Sequence, residues 1–362
     1  DAEGAAEVLE RALASDPNSA PTWLTLAMLK KTRPADPLIA RIGAQLAQMR
    51  APEQRATMLY AVGKVYDDLG EIDRAFAAYD EGAKLYAAAV KYDPAPSATL
   101  LKTVLTEFDS AFLSALKPSE CRSDRPIFVT GLPRSGTTLV EHILCAHSAV
   151  DDGAEINLFR TAVMALDMRS RNAVRAFEQH ASRNAWTHAG ETYLHLLDER
   201  FGRGGRVVDK TLMHSFSLGF IHQTVPEAPI IWMRRDPRDT ALSCYRTRFA
   251  SQGIDWTWSF ADIAQRFRED DALHAHWTRE LGSKLLTIQY EDFVADPETW
   301  IPRILAHCGL SDEAGVRTFH NSSRAVATAS VAQVRQPISR AAIGGWKRYE
   351  KHLAPFIDAY YG

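Results

Sequence analysis

Apolar positions change rhythm along the chain. Over the first hundred residues they recur at helical spacing in a sequence rich in Ala and Leu. Ser97 to Leu116 continues the pattern, with Leu100, Leu101, Val104, Leu105, Phe108, Phe112 and Leu113 on one face of a predicted helix. A polar, proline-bounded stretch from Lys117 to Pro126 then breaks it. Beyond that point short apolar runs alternate with longer helical segments. Ile127–Val129, Arg206–Val208, Pro229–Met233 and Lys284–Gln289 predict four strands, and Thr137 to His147 predicts the helix after the first. Strands alternating with helices imply an α/β fold, a parallel sheet flanked by helices, here preceded by an all-α segment. The expected division is residues 1–94, a linking helix and linker over 95–124, and an α/β domain over 125–362.

Small residues and aromatics recur within the all-α segment. Ala5, Leu9, Ala12 and Pro17 lead into Trp23, Leu26 and Ala27. A fuller set is Leu59, Val62, Gly63, Tyr66, Gly70, Ala75, Tyr79 and Gly82. This pattern resembles tetratricopeptide repeats, which implies helix hairpins that approach at the small residues and pack through the aromatics. The stretch from Lys31 to Pro37, with two prolines, interrupts the register. The chain begins at Asp1, without Met and within a repeat, so it reads as a piece of a longer protein.

Composition narrows the class. The 362 residues carry 42 Lys plus Arg against 45 Asp plus Glu, which argues against a polybasic nucleic-acid binder but leaves room for a local cationic pocket. No apolar run approaches the ~18 residues of a membrane helix. Cys121, Cys145, Cys244 and Cys308 are dispersed, without a CxxC pair or His at ligand spacing, so neither a metal site nor a disulfide framework is expected. Dispersed thiols suit a reducing compartment, and the expected localisation is the cytoplasm.

In a parallel sheet ligands bind at the carboxyl ends of the strands. The first strand ends in Gly131-Leu132-Pro133-Arg134-Ser135-Gly136-Thr137-Thr138 and runs into a helix. Glycines let the backbone turn so that N–H groups face inward, and the helix start and hydroxyls complete an anion cradle. The spacing is that of a P-loop, yet Thr137 stands where a nucleoside triphosphatase has its Lys, and the cation is Arg134 instead. The form Pro-Arg-Ser-Gly-Thr-Thr resembles the 5′-phosphosulfate loop of sulfotransferases that use 3′-phosphoadenosine 5′-phosphosulfate (PAPS). The resemblance runs from about Pro126 to the C-terminus. It implies that Pro133, Arg134, Ser135, Gly136, Thr137 and Thr138 hold the phosphosulfate, that PAP is the product, and that no metal is required.

The third strand leads into Arg234-Arg235-Asp236-Pro237-Arg238-Asp239, with Ser243, Arg246 and Arg248 on the next helix. Clustered guanidinium groups suit a dianionic phosphate. Sulfotransferases bind the cofactor's 3′-phosphate with an Arg at a strand end and a Ser eight residues on, the spacing of Arg235 and Ser243. For the general base, the tyrosylprotein branch uses a Gly-Glu-Glu-Thr stretch. Here Gly153-Ala154-Glu155-Ile156 matches it in part, which points to Glu155. His142 and His147 are rival bases, whereas His274 and His276 read as structural. Lys210, after the second strand, matches a Lys of the same branch and implies a cation at the bridging oxygen. Arg134 joins these two as a catalytic group. Tyr290 reads equally as a cofactor contact or as packing. Ser330 and Arg335 match the family's cofactor-covering segment. Arg340, Trp346, Lys347 and Arg348 have no settled roles, and Trp256 and Trp258 read either as an acceptor wall or as packing of their own loop.

The leading expectation is a sulfotransferase acting on a hydroxyl, with a protein tyrosine or glycan favoured because repeats present extended surfaces to peptides and partner proteins. The alternatives are an inactive nucleotide-binding scaffold that acts through its repeats, and a P-loop kinase or NTPase, which Thr137 disfavours.

Overall fold

The computed structural model describes residues 2–181, 183–249, 253–321 and 336–362. They form two compact units. One comprises Asp1–Pro94, Pro237–Arg266 and Gly344–Gly362; the other comprises Ala95–Asp236 and Phe267–Ile343. The stretch expected as one domain, 125–362, therefore contributes to both, and the expected linker 95–124 lies wholly in the second.

The first unit opens with helices α1 (Ala2–Ser15), α2 (Ala20–Leu29), α3 (Pro37–Gln48), α4 (Pro52–Leu69) and α5 (Ile72–Val90). Proline breaks the chain before α3 and then starts that helix, with the Asp36 carboxylate accepting from the Leu38 N–H. Gly70 ends α4 at φ 79°, the left-handed conformation of a helix stop. The small residues sit where α4 and α5 meet. A Cβ on Gly63 would lie 2.6 Å from the Tyr79 ring, and one on Gly82 would lie 3.0 Å from the Tyr60 ring. Leu13, Trp23, Leu26, Leu38, Ile42, Met58 and Val65 fill the core between these helices. Trp258 stacks on Tyr86 with ring centroids 4.6 Å apart and meets Tyr60 edge-on. Trp256 and Trp258 are both buried in a short 3-10 turn, so packing within this unit is what they do.

In the second unit the helix expected over 97–116 is two, α6 (Ala95–Glu107) and α7 (Ser110–Ser114). Asp109 causes the break, because its carboxylate caps the Phe112 N–H and its extended backbone leaves the helical path. Then follow β1 (Pro126–Gly131), α8 (Thr137–Cys145), β2 (Val150–Asp152), α9 (Leu158–Ala162), α10 (Arg171–His180), α11 (Ala185–Phe201), β3 (Arg206–Asp209), α12 (Leu218–Thr224) and β4 (Ile230–Arg234). After α13 (Pro237–Tyr245), which lies in the first unit, and α14 (Phe260–Leu281), which begins there and continues in the second, come β5 (Leu285–Gln289), α15 (Tyr290–Ala295) and α16 (Pro297–His307). A final helix, α17 (Ala354–Tyr361), belongs to the first unit.

The sheet is wholly parallel in the order β2-β3-β1-β4-β5. Among the described residues five strands form this sheet, where four were expected. The extra edge strand, β2, is three residues long and contains two aspartates, so it carries no apolar run to reveal it. Alternate residues of each central strand feed two cores. Phe128, Val207, Ile230 and Trp232 pack on one face, and Ile127, Val129, Val208, Ile231 and Met233 on the other. Burial on both faces is the reason these strands read as unbroken apolar runs. The β1–β3 register sets Phe128 beside Asp209, so the loop after β1 and Lys210 after β3 emerge side by side at the carboxyl edge.

Candidate active site

The loop after β1 is shaped by close approach. Gly131 has φ 141°, and a Cβ there would lie 2.4 Å from the Met233 carbonyl oxygen. Gly136 has φ 107° and lies against Tyr290, whose ring would be 2.7 Å from an added Cβ. Arg134 takes φ 69°, a left-handed conformation that is costly for a non-glycine residue and common at ligand-binding turns. Ser135, Thr137 and Thr138 are buried where α8 begins, and the buried Ser135 Oγ has no hydrogen-bond partner among the described residues. A hydroxyl held dry at a helix N-terminus is suited to an anion.

Arg235, at the end of β4, joins this loop. Its Nη1 donates to the Arg134 carbonyl at 3.2 Å, its Nη2 donates to the Ala342 carbonyl, and its guanidinium lies 4.7 Å from the centre of the Tyr290 ring. Tyr290 is buried against Gly136 and under Arg235, so it shapes the loop from behind. Ser243 is buried on α13, in the first unit. Ser330 and Arg335 lie outside the described residues.

Lys210 and Glu155 meet. The chain leaves β2 through Gly153, whose N–H donates to the Val208 carbonyl at 2.9 Å and whose Cβ would strike that oxygen at 2.3 Å. The Ala154 carbonyl accepts from the Lys210 N–H at 2.9 Å. Ala154 (φ 46°) and Asn157 (φ 53°) bracket Glu155 in left-handed conformations. The loop thus turns so that Glu155 Oε1 lies 2.6 Å from Lys210 Nζ. Lys210 is only 1% exposed at its side chain, while Glu155 is 47% exposed and accessible to an acceptor.

A third group, absent from the sequence-based set, completes the cluster. Glu141 on α8 places Oε2 3.7 Å from Lys210 Nζ, and its side chain is 4% exposed. Burial raises its pKa to about 8; the Asp152 and Glu155 carboxylates push the same way, against the attraction of Lys210. Because this carboxyl holds its proton more tightly folded than unfolded, its contribution favours the fold below its ordinary value of 4.5 and is lost as pH rises through about 8. One sequence signal could have found it. Glu141 lies four residues after Thr137, one turn along the same helix face as the loop hydroxyl.

Asp209 anchors the strand end that carries Lys210. It is fully buried and receives the Tyr193 hydroxyl at 2.9 Å and the Thr211 hydroxyl at 2.8 Å, with His214 Nε2 also 2.9 Å away. Burial alone would raise its pKa, but the charge and hydrogen bond of His214 and the two hydroxyls hold it below the ordinary carboxylate value. Its stabilising contribution is therefore present above that value, 3.8, and is lost as pH falls through the lower folded one. Asp209→Asn is expected to cost about 2 kcal/mol or more, since it removes charged hydrogen bonds and turns an amide toward donors. The urea midpoint at neutral pH measures this.

His147 is buried, with Nε2 3.4 Å from both the Ser311 hydroxyl and a Glu313 oxygen, and Nδ1 accepting from the Ala149 N–H. His142 is half-buried on α8. His274 binds the Thr287 hydroxyl at 2.8 Å, with its pKa lowered by burial to about 4, and His276 faces the Phe108 carbonyl at 3.1 Å. Of the C-terminal groups, Arg340 donates to the Ala295 carbonyl at 2.8 Å, Arg348 pairs with Asp67 at 3.6 Å, and the Trp346 ring lies under Arg238 while its backbone N–H donates to Asp239 Oδ1. Lys347 is exposed. Among the described residues no group of His, Cys, Asp and Glu could hold a metal, and no helix is long and apolar enough to cross a membrane.

A model of the sulfotransferase family matches residues 126–314, the stretch that builds this loop and cluster. The chain belongs to the sulfotransferase family. It is 28% identical to an uncharacterized protein of Aquifex aeolicus over 98% of this chain and 48% of that protein. It is 27% identical to protein-tyrosine sulfotransferase 1 of Danio rerio over 61% of this chain and 65% of that protein. The chain thus spans about half the length of the first relative and under two thirds of the second. A solved sulfotransferase domain from the Synechococcus PCC 7002 olefin synthase is similar at 20% identity, with a TM-score of 0.46, over 64% of this chain and 90% of that domain.

Proposed function

We propose that this protein transfers a sulfuryl group from PAPS to a hydroxyl acceptor, a protein tyrosine or glycan hydroxyl being favoured. The observation that carries this reading is the 2.6 Å pairing of a buried Lys210 with a half-exposed Glu155, one strand away from a dry Ser135 hydroxyl. Loop residues 133–138 bind the phosphosulfate, with Arg134 as their cation. Arg235 and Ser243 are assigned to the 3′-phosphate, and Ser330 and Arg335 to the covering segment, on family resemblance. PAPS supplies an activated sulfuryl group. Glu155 takes the acceptor's proton, and Lys210 neutralises charge growing on the departing phosphate oxygen. We assign α1–α5 to tetratricopeptide-type repeats that engage a peptide acceptor or a partner protein, on the strength of the tight Gly63–Tyr79 and Gly82–Tyr60 contacts. The four cysteines are buried thiols, which suits a cytoplasmic location.

Thermal unfolding with PAP or ATP, each without Mg²⁺, tests the reading. PAP alone is expected to raise the Tm; at 100-fold excess over its Kd the gain corresponds to about 2.7 kcal/mol. No response to PAP overturns the assignment.

A further inference from the structure

Two carboxyl groups and one ammonium are packed together beneath the exposed end of Glu155. Lys210 Nζ lies 2.6 Å from Glu155 Oε1 and 3.7 Å from Glu141 Oε2. Lys210 and Glu141 are almost fully buried, whereas Glu155 reaches solvent. Glu141 Oε1 is also buried and has no hydrogen-bond partner among the described residues. The charged groups around Glu141 are Lys210 from the end of β3, Asp152 from β2, which also hydrogen-bonds the Glu141 carboxyl, and Glu155 from the loop after β2, which acts on it through charge alone. Three carboxylates against one ammonium is an unfavourable balance where Glu141 and Lys210 are shut off from water. Interacting acids of this kind titrate as a set, not singly.

We propose that Glu141 is the positioning residue of Lys210, sharing one proton with Glu155 so that the buried ammonium always faces one carboxylate and one carboxylic acid. At rest Glu155 is the carboxylate and Glu141 holds the proton. Its role in turnover rests on the sulfotransferase reading above; the sharing of the proton does not. In transfer, the acceptor oxygen bonds to sulfur as the bond from sulfur to the 5′-phosphate oxygen breaks, and the acceptor's proton passes to Glu155. Lys210 would then face two neutral acids. Glu141 restores the balance by releasing its proton past Asp152 to water. After the products leave, the proton on Glu155 returns to Glu141. One proton leaves the protein per sulfuryl group transferred, as the overall reaction requires. Lys210 keeps a counter-charge at each stage and is held at its post while charge builds on the leaving oxygen.

Infrared titration of the full chain without ligand tests the coupling directly. Glu141→Gln identifies the carbonyl band of the Glu141 acid by removing it. In wild type that band is expected to disappear as pH rises through about 8. In Glu155→Gln its midpoint should fall by about one pH unit or more, because a neighbouring negative charge is gone. Lys210→Met should move it the opposite way, and serves as the second arm if Glu155→Gln folds poorly. A midpoint unmoved in both variants, or no acid band lost in Glu141→Gln at pH 6, overturns the proposal. Failure of PAP to bind wild type, with the band shifts present, overturns the sulfotransferase reading and leaves the proton sharing intact.

Discussion

Glu155→Gln is expected to lower sulfuryl transfer by about 10²–10⁴-fold, the usual contribution of a positioned general base. Label transferred from radiolabelled PAPS to an acceptor in cell extract measures it. PAP should stabilise the variant as much as wild type, since Glu155 lies on the β2–α9 loop and not on the loop 133–138 that we assign to the cofactor. The amide keeps the length of the side chain and still accepts from Lys210 Nζ, so the backbone bonds of Gly153 and Lys210 that shape this loop are unaffected. What is lost is the basic lone pair. A variant that transfers label at near wild-type rate while folding normally would remove Glu155 from the role of base and return attention to His142.

Lys210→Met is expected to lower turnover by about 10²–10³-fold, the range seen when one preorganised donor to a developing oxyanion is removed. Methionine fills most of the buried volume, so the loss reports charge and hydrogen bonding more than a cavity. The protein should remain folded at neutral pH, because Glu141 already holds its proton there and only the half-exposed Glu155 loses its counter-ion. The KM for PAPS should change little compared with kcat, because Lys210 acts on charge that appears during transfer. A large rise in KM with kcat preserved would instead make Lys210 a ground-state phosphate ligand.

Much of the candidate site was legible in the sequence because its parts are local. The loop after β1, which we assign to an anion, is a contiguous run in which glycine spacing, Arg134 and the hydroxyls stand together, and the structure supplies the reason for each glycine in the Met233 and Tyr290 contacts. Arg235 and Lys210 were legible as cations at strand ends, which chain order alone brings to one edge of a parallel sheet. Glu155 was legible only through a partial motif. Glu141 was not singled out, because an acid in a nine-residue helix reads as a solvated position until the opposing surface is known. The short strand β2 and the break between α6 and α7 escaped for a similar reason. Each depends on one backbone bond pattern or one capping carboxylate and not on an apolar rhythm.

By itself the sequence determined the parallel α/β core, the helical segment before it and the tight glycine turns of the loop after β1, because apolar periodicity and glycine spacing are short-range properties. Only the tertiary structure decided that Pro237–Arg266 and Gly344–Gly362 belong with the N-terminal helices, and that Trp256 and Trp258 are buried in that unit. It also decided that Glu141, Glu155 and Lys210, separated along the chain, form one cluster in which Glu141 and Lys210 are buried and Glu155 reaches solvent. The physical reason is desolvation. The protonation state of a carboxyl depends on its burial and on the charges around it, and the charged groups that act on Glu141 come from β2, β3 and the loop after β2, all outside its own helix.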